Sequence, residues 1–193
     1  MFNDRSSILS LMETRRSGRP RDLIAPGPST EELERILAIA RRTPDHGKLH
    51  PWRFVHVTAE QRDALAELLE RAYRAANPDP GRLEIEAAHR FAHQAPELIV
   101  LLSCPIPEHK IPVWEQELSC GAAAMNLLIA AHAMGYAGGW VTGWAAYSEM
   151  VRDAFGGEGE RIAGFIFLGT PGNALEERPR PERDEVVSEW KPA

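Results

Sequence analysis

The spacing of apolar residues predicts four helices in the first half of the chain. Positions 8, 11 and 12 mark one face of a first helix that ends near residues 15 and 16. Ser29 and Glu32 have the spacing of a capping box and open a second helix, which ends before Pro44 because a residue that precedes proline avoids the α conformation. Thr58 and Gln61 cap a third helix, and a fourth, more polar helix follows the break at residues 77–81 and ends near residue 94. The prolines at positions 20, 26 and 28 predict an irregular connection between the first two helices.

The other predicted elements are apolar strands, one long helix and one short helix. Residues 54–57 are β-branched or aromatic, and residues 98–102 and 162–168 are apolar on both faces, which predicts strands, the last of them ending at residues 169–171. Pro112 opens a long central helix that ends at Gly135, a short strand or loop follows near residues 140–143, and residues 147–155 form a further short helix. Helices interspersed among four or five strands indicate an α+β sandwich.

Composition and charge narrow the class of protein. The chain has 193 residues, which predicts one domain over residues 1–193. A net charge of −6 argues against a broad nucleic-acid or anionic-membrane surface. Residues 118–134 are almost uncharged, yet they are shorter than the roughly 20 residues that span a bilayer and include His132, so a buried helix is the better interpretation. Two distant cysteines and an N-terminus without a secretory signal predict a cytoplasmic protein.

The sequence lacks the common motifs of nucleotide-binding and nucleophilic enzymes, and its one candidate metal site is poor. The sequence contains no Walker A motif, no G-x-S-x-G and no G-x-G-x-x-G between a strand and a helix. His46 and His50 are four residues apart, as in a helical zinc site, but Gly47 and Pro51 disfavour the helix that such a site needs. We therefore expect no metal ligands, and His46 either faces solvent or touches a ligand.

Arginines and tryptophans beside loops are the stronger candidates. Arg15, Arg16 and Ser17 follow the first helix and form the start of the densest basic patch of an acidic protein. These arginines either complement the C-terminal dipole of the helix or grip a phosphate, because guanidinium groups and a hydroxyl match phosphate oxygens. Trp140 either packs in the core or lies beside a ligand, because the two glycines before it let the backbone approach a flat ring.

The order of these motifs resembles the flavin-dependent nitroreductase superfamily, and more narrowly its compact bacterial members. The matching pieces run in family order over nearly the whole chain. They are the segments at residues 15–17, 42–46, 51–54, 109–117, 135–140 and 164–171.

The resemblance implies a fold, an activity and a set of ligand-binding residues. The fold is an α-β-α sandwich with a mixed, mainly antiparallel sheet and a long central helix, in a homodimer. The apolar residues Val186, Val187 and Trp190 of the polar tail predict that the tail docks on a surface, either of this chain or of a partner, and in a homodimer we expect it to dock on the partner. FMN lies at the interface, and NAD(P)H is the co-substrate for reduction of a small-molecule acceptor such as a nitroaromatic or a quinone. The residues that the family pattern places at FMN are Arg15, Arg16, Ser17, Arg42, His46, Trp140, Val141, Thr142, Arg178 and Arg180.

Two further points follow from the resemblance. Flavin chemistry needs no side-chain nucleophile, so no catalytic acid or base is assigned. Many relatives carry an asparagine before the Pro-Trp pair, where this chain has residues 47–50, and compact members often have a cation after the tryptophan at position 140, where this chain has Val141. A flavin-using specialist enzyme and a non-enzymatic flavin carrier or sensor remain alternatives, and the sequence does not distinguish NADH from NADPH.

Overall fold

The structure, a computed structural model, describes residues 1–192 as helices packed on a five-stranded sheet. The helices are α1 (Ile8–Thr14), α2 (Thr30–Ala40), α3 (Arg62–Ala76), α4 (Arg82–Ala92), α5 (Val113–Ala133), α6 (Trp144–Tyr147), α7 (Glu149–Phe155) and α8 (Arg183–Val186). The strands are β1 (Leu23–Ile24), β2 (Trp52–Val57), β3 (Glu97–Ser103), β4 (Ala137–Val141) and β5 (Arg161–Pro171).

Strand β5 organises the sheet. It pairs with β3, with β4 and, through its last two residues, with β1, and β3 in turn pairs with β2. The pairings found among residues 1–192 are all antiparallel, in agreement with the prediction of a mainly antiparallel sheet.

The two faces of the sheet carry separate hydrophobic cores. Along β5, Phe165 and Phe167 face the layer of α3, α4, α6 and α7, whereas Ile166 and Leu168 face α2 and α5. Successive side chains of a strand point to opposite faces, so a strand that is covered on both sides is apolar throughout. The predicted α-β-α sandwich is therefore confirmed.

Helix α5 crosses the second face as the predicted central helix. Its buried side chains are mostly small or aliphatic, among them Ala123, Ala124 and Leu127, so neighbouring elements can approach it closely. Within residues 1–192, no helix is both long enough and apolar enough to cross a bilayer.

Two details of the prediction are wrong. The proline-rich connection contains β1, and β5 therefore continues through Gly169, Thr170 and Pro171 because β1 supplies pairing partners for Thr170 and Pro171. The helix expected at residues 147–155 begins only at Glu149, because Ser148 is its N-cap and accepts a hydrogen bond from the Val151 amide, and a separate short helix, α6, precedes it.

The C-terminal tail leaves its apolar side chains uncovered by this chain. Val186, Val187 and Trp190 are exposed, Trp190 to 86%. Their docking on a partner subunit stays a prediction.

Candidate functional site

A cavity of about 470 Å³ lies between the segment that follows α1 and the chain that leaves β5. Residues 16–19 and 21–23 form one side of it, and residues 171 and 173–179 form the other. Four of the lining residues are arginines, at positions 16, 19, 21 and 178. The two sides come from opposite ends of the chain, so only the fold brings these charges together.

Arg15, Arg16 and Arg180, here called the arginine cluster, are near neighbours. Burial lowers the pKa of the Arg15 guanidinium from its ordinary value, and the positive charges of Arg180 and Arg16 lower it further. Arg15 also donates a hydrogen bond to the Ser17 hydroxyl over 3.3 Å. An arginine stays protonated under such a shift, so the cluster concentrates positive charge that favours an anion.

Carboxylates of the tail lie against these arginines. Arg19 pairs with Glu176 at 2.6 Å, and Arg16 Nε donates to the Glu176 backbone carbonyl at 2.7 Å. Glu177 Oε1 lies 3.7 Å from Arg16 Nε and 3.5 Å from Arg180 Nη2. Glu176 and Glu177 were not among the predicted site residues, although they directly precede the Arg-Pro-Arg segment at residues 178–180.

Strand β4 is joined through the backbone to residues 16–19, which line the cavity. The Gly18 amide donates to the Gly138 carbonyl over 3.1 Å. A Cβ added at Gly139 would come within 2.6 Å of the Gly18 carbonyl oxygen, and one at Gly138 within 2.6 Å of Leu128. A side chain at Gly139 would collide with the backbone of the segment at Gly18, so packing within the chain favours glycine there.

The three residues after these glycines differ in how far their side chains are exposed. The Trp140 side chain is 39% exposed, and its indole donates to the Ala163 carbonyl over 3.0 Å. Val141 is half-buried and packs against the core on the α3 face. Thr142 is half-buried.

Arg42 and His46 lie outside the cavity lining. His46 Nδ1 is 2.7 Å from the Glu115 carboxylate, and both side chains are largely exposed. Across residues 1–192 no group of three or more side chains is arranged to bind a metal ion. Among residues 1–192, neither Arg42 nor His46 forms a hydrogen bond or an ion pair with the arginine cluster.

His132 is a buried polar residue that the sequence analysis treated only as an argument against a membrane helix. Its ring is fully buried near the end of α5, and Nε2 accepts a hydrogen bond from the Gly138 amide over 3.2 Å. Nδ1 has no hydrogen-bond partner among residues 1–192. Burial lowers the pKa of His132 to about 4, with a further contribution from the charge of Arg15. The neutral ring thus ties α5 to the start of β4, beside the arginine cluster.

Comparisons with known proteins agree with this architecture. The sequence profile described as "Nitroreductase family" matches residues 12–170. A protein of Escherichia coli K12 named "Putative NAD(P)H nitroreductase YdjA" is 38% identical over 164 residues, which cover 84% of this chain and 87% of that protein.

Solved structures share the fold at lower identity. The nitroreductase-like family protein of Bacillus cereus superimposes with a TM-score of 0.79 at 22% identity, and 96% of each chain is covered. A nitroreductase of Bacteroides fragilis, described as having bound FMN, has a TM-score of 0.70 at 20% identity over 95% of this chain and 100% of that chain. The extent of the family match and the 38% identity together establish that this chain belongs to the nitroreductase family of oxidoreductases.

Proposed function

We propose that the protein is an FMN-dependent NAD(P)H oxidoreductase that reduces nitroaromatics, quinones or similar flat acceptors. The arginine cluster carries this proposal, because it gathers donors suited to a phosphate monoester and one of its members, Arg16, lines the cavity. The name of the Escherichia coli relative supports the use of NAD(P)H, and the bound FMN of the Bacteroides fragilis structure supports the cofactor.

The phosphate of FMN would lie among Arg15, Arg16, Ser17, Arg178 and Arg180. The fit of these residues to an anion is supported by the cluster itself, where a carboxylate oxygen of the tail already lies 3.5 Å and 3.7 Å from two guanidinium groups. Each charge-assisted hydrogen bond to a phosphate oxygen would contribute about 1.5–3 kcal/mol. The phosphate would therefore supply much of the affinity for the cofactor.

The ring of FMN would lie along the end of β4. Trp140 offers an exposed indole there, and Val141 and Thr142 offer backbone groups. When bound, FMN supplies the capacity to accept a hydride from NAD(P)H and to give up electrons to an acceptor. The chain's own residues hold the cofactor and need not donate a proton, so no catalytic acid or base is assigned.

A homodimer would complete this site. Arg42 and His46 form no hydrogen bond or ion pair with the arginine cluster of their own chain within residues 1–192, and we propose that they reach FMN from the partner subunit. Ile8, Leu9 and Met12 of α1 are exposed apolar residues, as is Trp114 at the start of α5. Apolar side chains grouped on a surface are typical of subunit interfaces, and the exposed tail would dock on the same partner.

The two substrates would use the same open face of the cofactor in turn. The sequence has no Rossmann fingerprint with which to bind the dinucleotide elsewhere. NAD(P)H would therefore leave as NAD(P)⁺ before the acceptor enters, which predicts ping-pong kinetics.

Anaerobic spectroscopy tests the proposal. FMN-loaded protein is mixed with NADH or NADPH without oxygen, and a quinone or nitroaromatic is then added. We expect the flavin absorbance to bleach with at least one dinucleotide and to return with the acceptor. Stable binding of FMN without bleaching by either dinucleotide would instead identify a flavin carrier or sensor.

A further inference from the structure

The arginine cluster has a counter-ion within its own chain. We propose that Glu177 occupies the anion position of the cluster, and that a phosphate-bearing ligand must displace this carboxylate in order to bind. The inference rests on the proposed function in that FMN is taken as the phosphate-bearing ligand. It adds an autoinhibitory contact that lowers the apparent affinity of the site.

One hydrogen-bond donor and two positive charges surround one carboxylate oxygen. The Arg178 backbone amide donates to Glu177 Oε1 over 2.7 Å. Arg16 Nε and Arg180 Nη2 lie 3.7 Å and 3.5 Å from the same oxygen as ion-pair partners, while the N–H of Arg16 Nε donates to the Glu176 carbonyl. A backbone N–H beside two guanidinium charges also suits a phosphate oxygen. Glu177 Oε1 therefore marks the anion position.

The same contacts explain why the carboxylate is held and yet replaceable. Three guanidinium groups repel one another unless an anion offsets their charge, and Arg15 is already partly desolvated among them. The Glu177 side chain, however, is 64% exposed, whereas that of Arg16 is 16% exposed. Water screens an exposed ion pair, so a dianion that reaches both arginines can replace a single carboxylate.

The tail stays close when Glu177 leaves. Arg16 Nε donates to the Glu176 backbone carbonyl over 2.7 Å, and Arg19 pairs with the Glu176 carboxylate at 2.6 Å. The carboxylate of Glu177 is thus tethered beside the site, where it competes with every incoming anion. Apparent affinity falls in proportion to the fraction of molecules in which the site is open.

A charge-neutral substitution isolates this competition. Glu177→Gln keeps the shape of the side chain and removes its charge. Glu189→Gln makes the same charge change in the same tail, at a residue that forms none of the ion pairs found in residues 1–192. Flavin-free wild type and both variants are titrated with FMN and, separately, with inorganic phosphate, by calorimetry. Thermal unfolding of each variant confirms that it is folded.

The expected result is a gain of affinity confined to one variant. Glu177→Gln should bind FMN and inorganic phosphate about two- to five-fold more tightly than wild type, the range expected for release of a largely exposed ion pair. Glu189→Gln should match wild type. An unchanged or weaker affinity in Glu177→Gln, or an equal gain in both variants, would overturn the inference.

The two ligands separate this inference from the proposed function. If all three proteins take up FMN with equal affinity, the counter-ion contact is refuted and the flavin site stands. If none takes up FMN but Glu177→Gln alone binds inorganic phosphate more tightly, the contact is supported and the assignment of FMN fails.

Discussion

Removal of the Arg16 guanidinium should weaken the binding of FMN, and the whole loss should come from the contact with the phosphate group. Arg16 is the most enclosed of the arginines that contact the tail, with 16% of its side chain exposed, and its Nε already donates to a carbonyl over 2.7 Å. In the proposed complex it would donate at least one charge-assisted hydrogen bond to the phosphate, worth about 1.5–3 kcal/mol. Arg16→Ala should therefore raise the dissociation constant of FMN about 10- to 150-fold.

Riboflavin provides the internal comparison for this variant, because it has the same ring and no phosphate. Titration of the flavin-free protein, followed by quenching of flavin fluorescence, should show a change of less than about two-fold for riboflavin in Arg16→Ala. Arg71→Ala is the matched control, since Arg71 lies on the exposed face of α3 and pairs only loosely with Glu67 at 3.9 Å. If Arg16→Ala retains the wild-type affinity for FMN, or loses affinity for both ligands equally, the phosphate assignment is refuted.

Three further predictions concern stability and assembly. Arg62 is 4% exposed and donates to four backbone carbonyls, so Arg62→Met should lower the free energy of unfolding by about 3–5 kcal/mol in urea titrations; a loss below about 1 kcal/mol would contradict its role. The pKa of His132 falls from 6.5 unfolded to about 4 folded. The unfolded state therefore binds the extra proton, and stability should fall as the pH drops from 6.5 to about 4, by up to about 3 kcal/mol. His132→Gln should lose this part of the pH dependence. If the free energy of unfolding of the variant varies with pH as that of the wild type does, the assignment of this dependence to His132 is refuted. A chain truncated before Val186 should sediment as a monomer and lose FMN, whereas a flavin-retaining dimer would exclude tail docking.

Most of the fold could be predicted because its signals are local. The capping box of Ser29 and Glu32 is present as expected, and the middle of β3, residues 98–102, is apolar at every position because it is buried on both faces. Strand β1 could not be predicted in the same way. Its two residues form a strand only because Thr170 and Pro171 lie beside them, almost 150 residues away in the sequence.

In the candidate site, too, features formed by neighbours in the sequence could be predicted, and contacts between distant residues could not. Arg15, Arg16 and Ser17 are adjacent in sequence, so a basic patch is visible without a structure. The contact of Glu177 with Arg16 joins residues from opposite ends of the chain, and no local pattern reports it. The burial of His132 could be predicted from its place in an apolar helix, but its hydrogen-bond partner, the Gly138 amide of β4, could not.

The most direct test of the account is the binding of FMN to the wild-type protein freed of flavin. We expect uptake of one FMN per chain, with riboflavin bound at least about ten-fold more weakly because the arginine cluster has no phosphate to hold. A protein that remains colourless after incubation with FMN, or that binds riboflavin as tightly as FMN, would contradict the account.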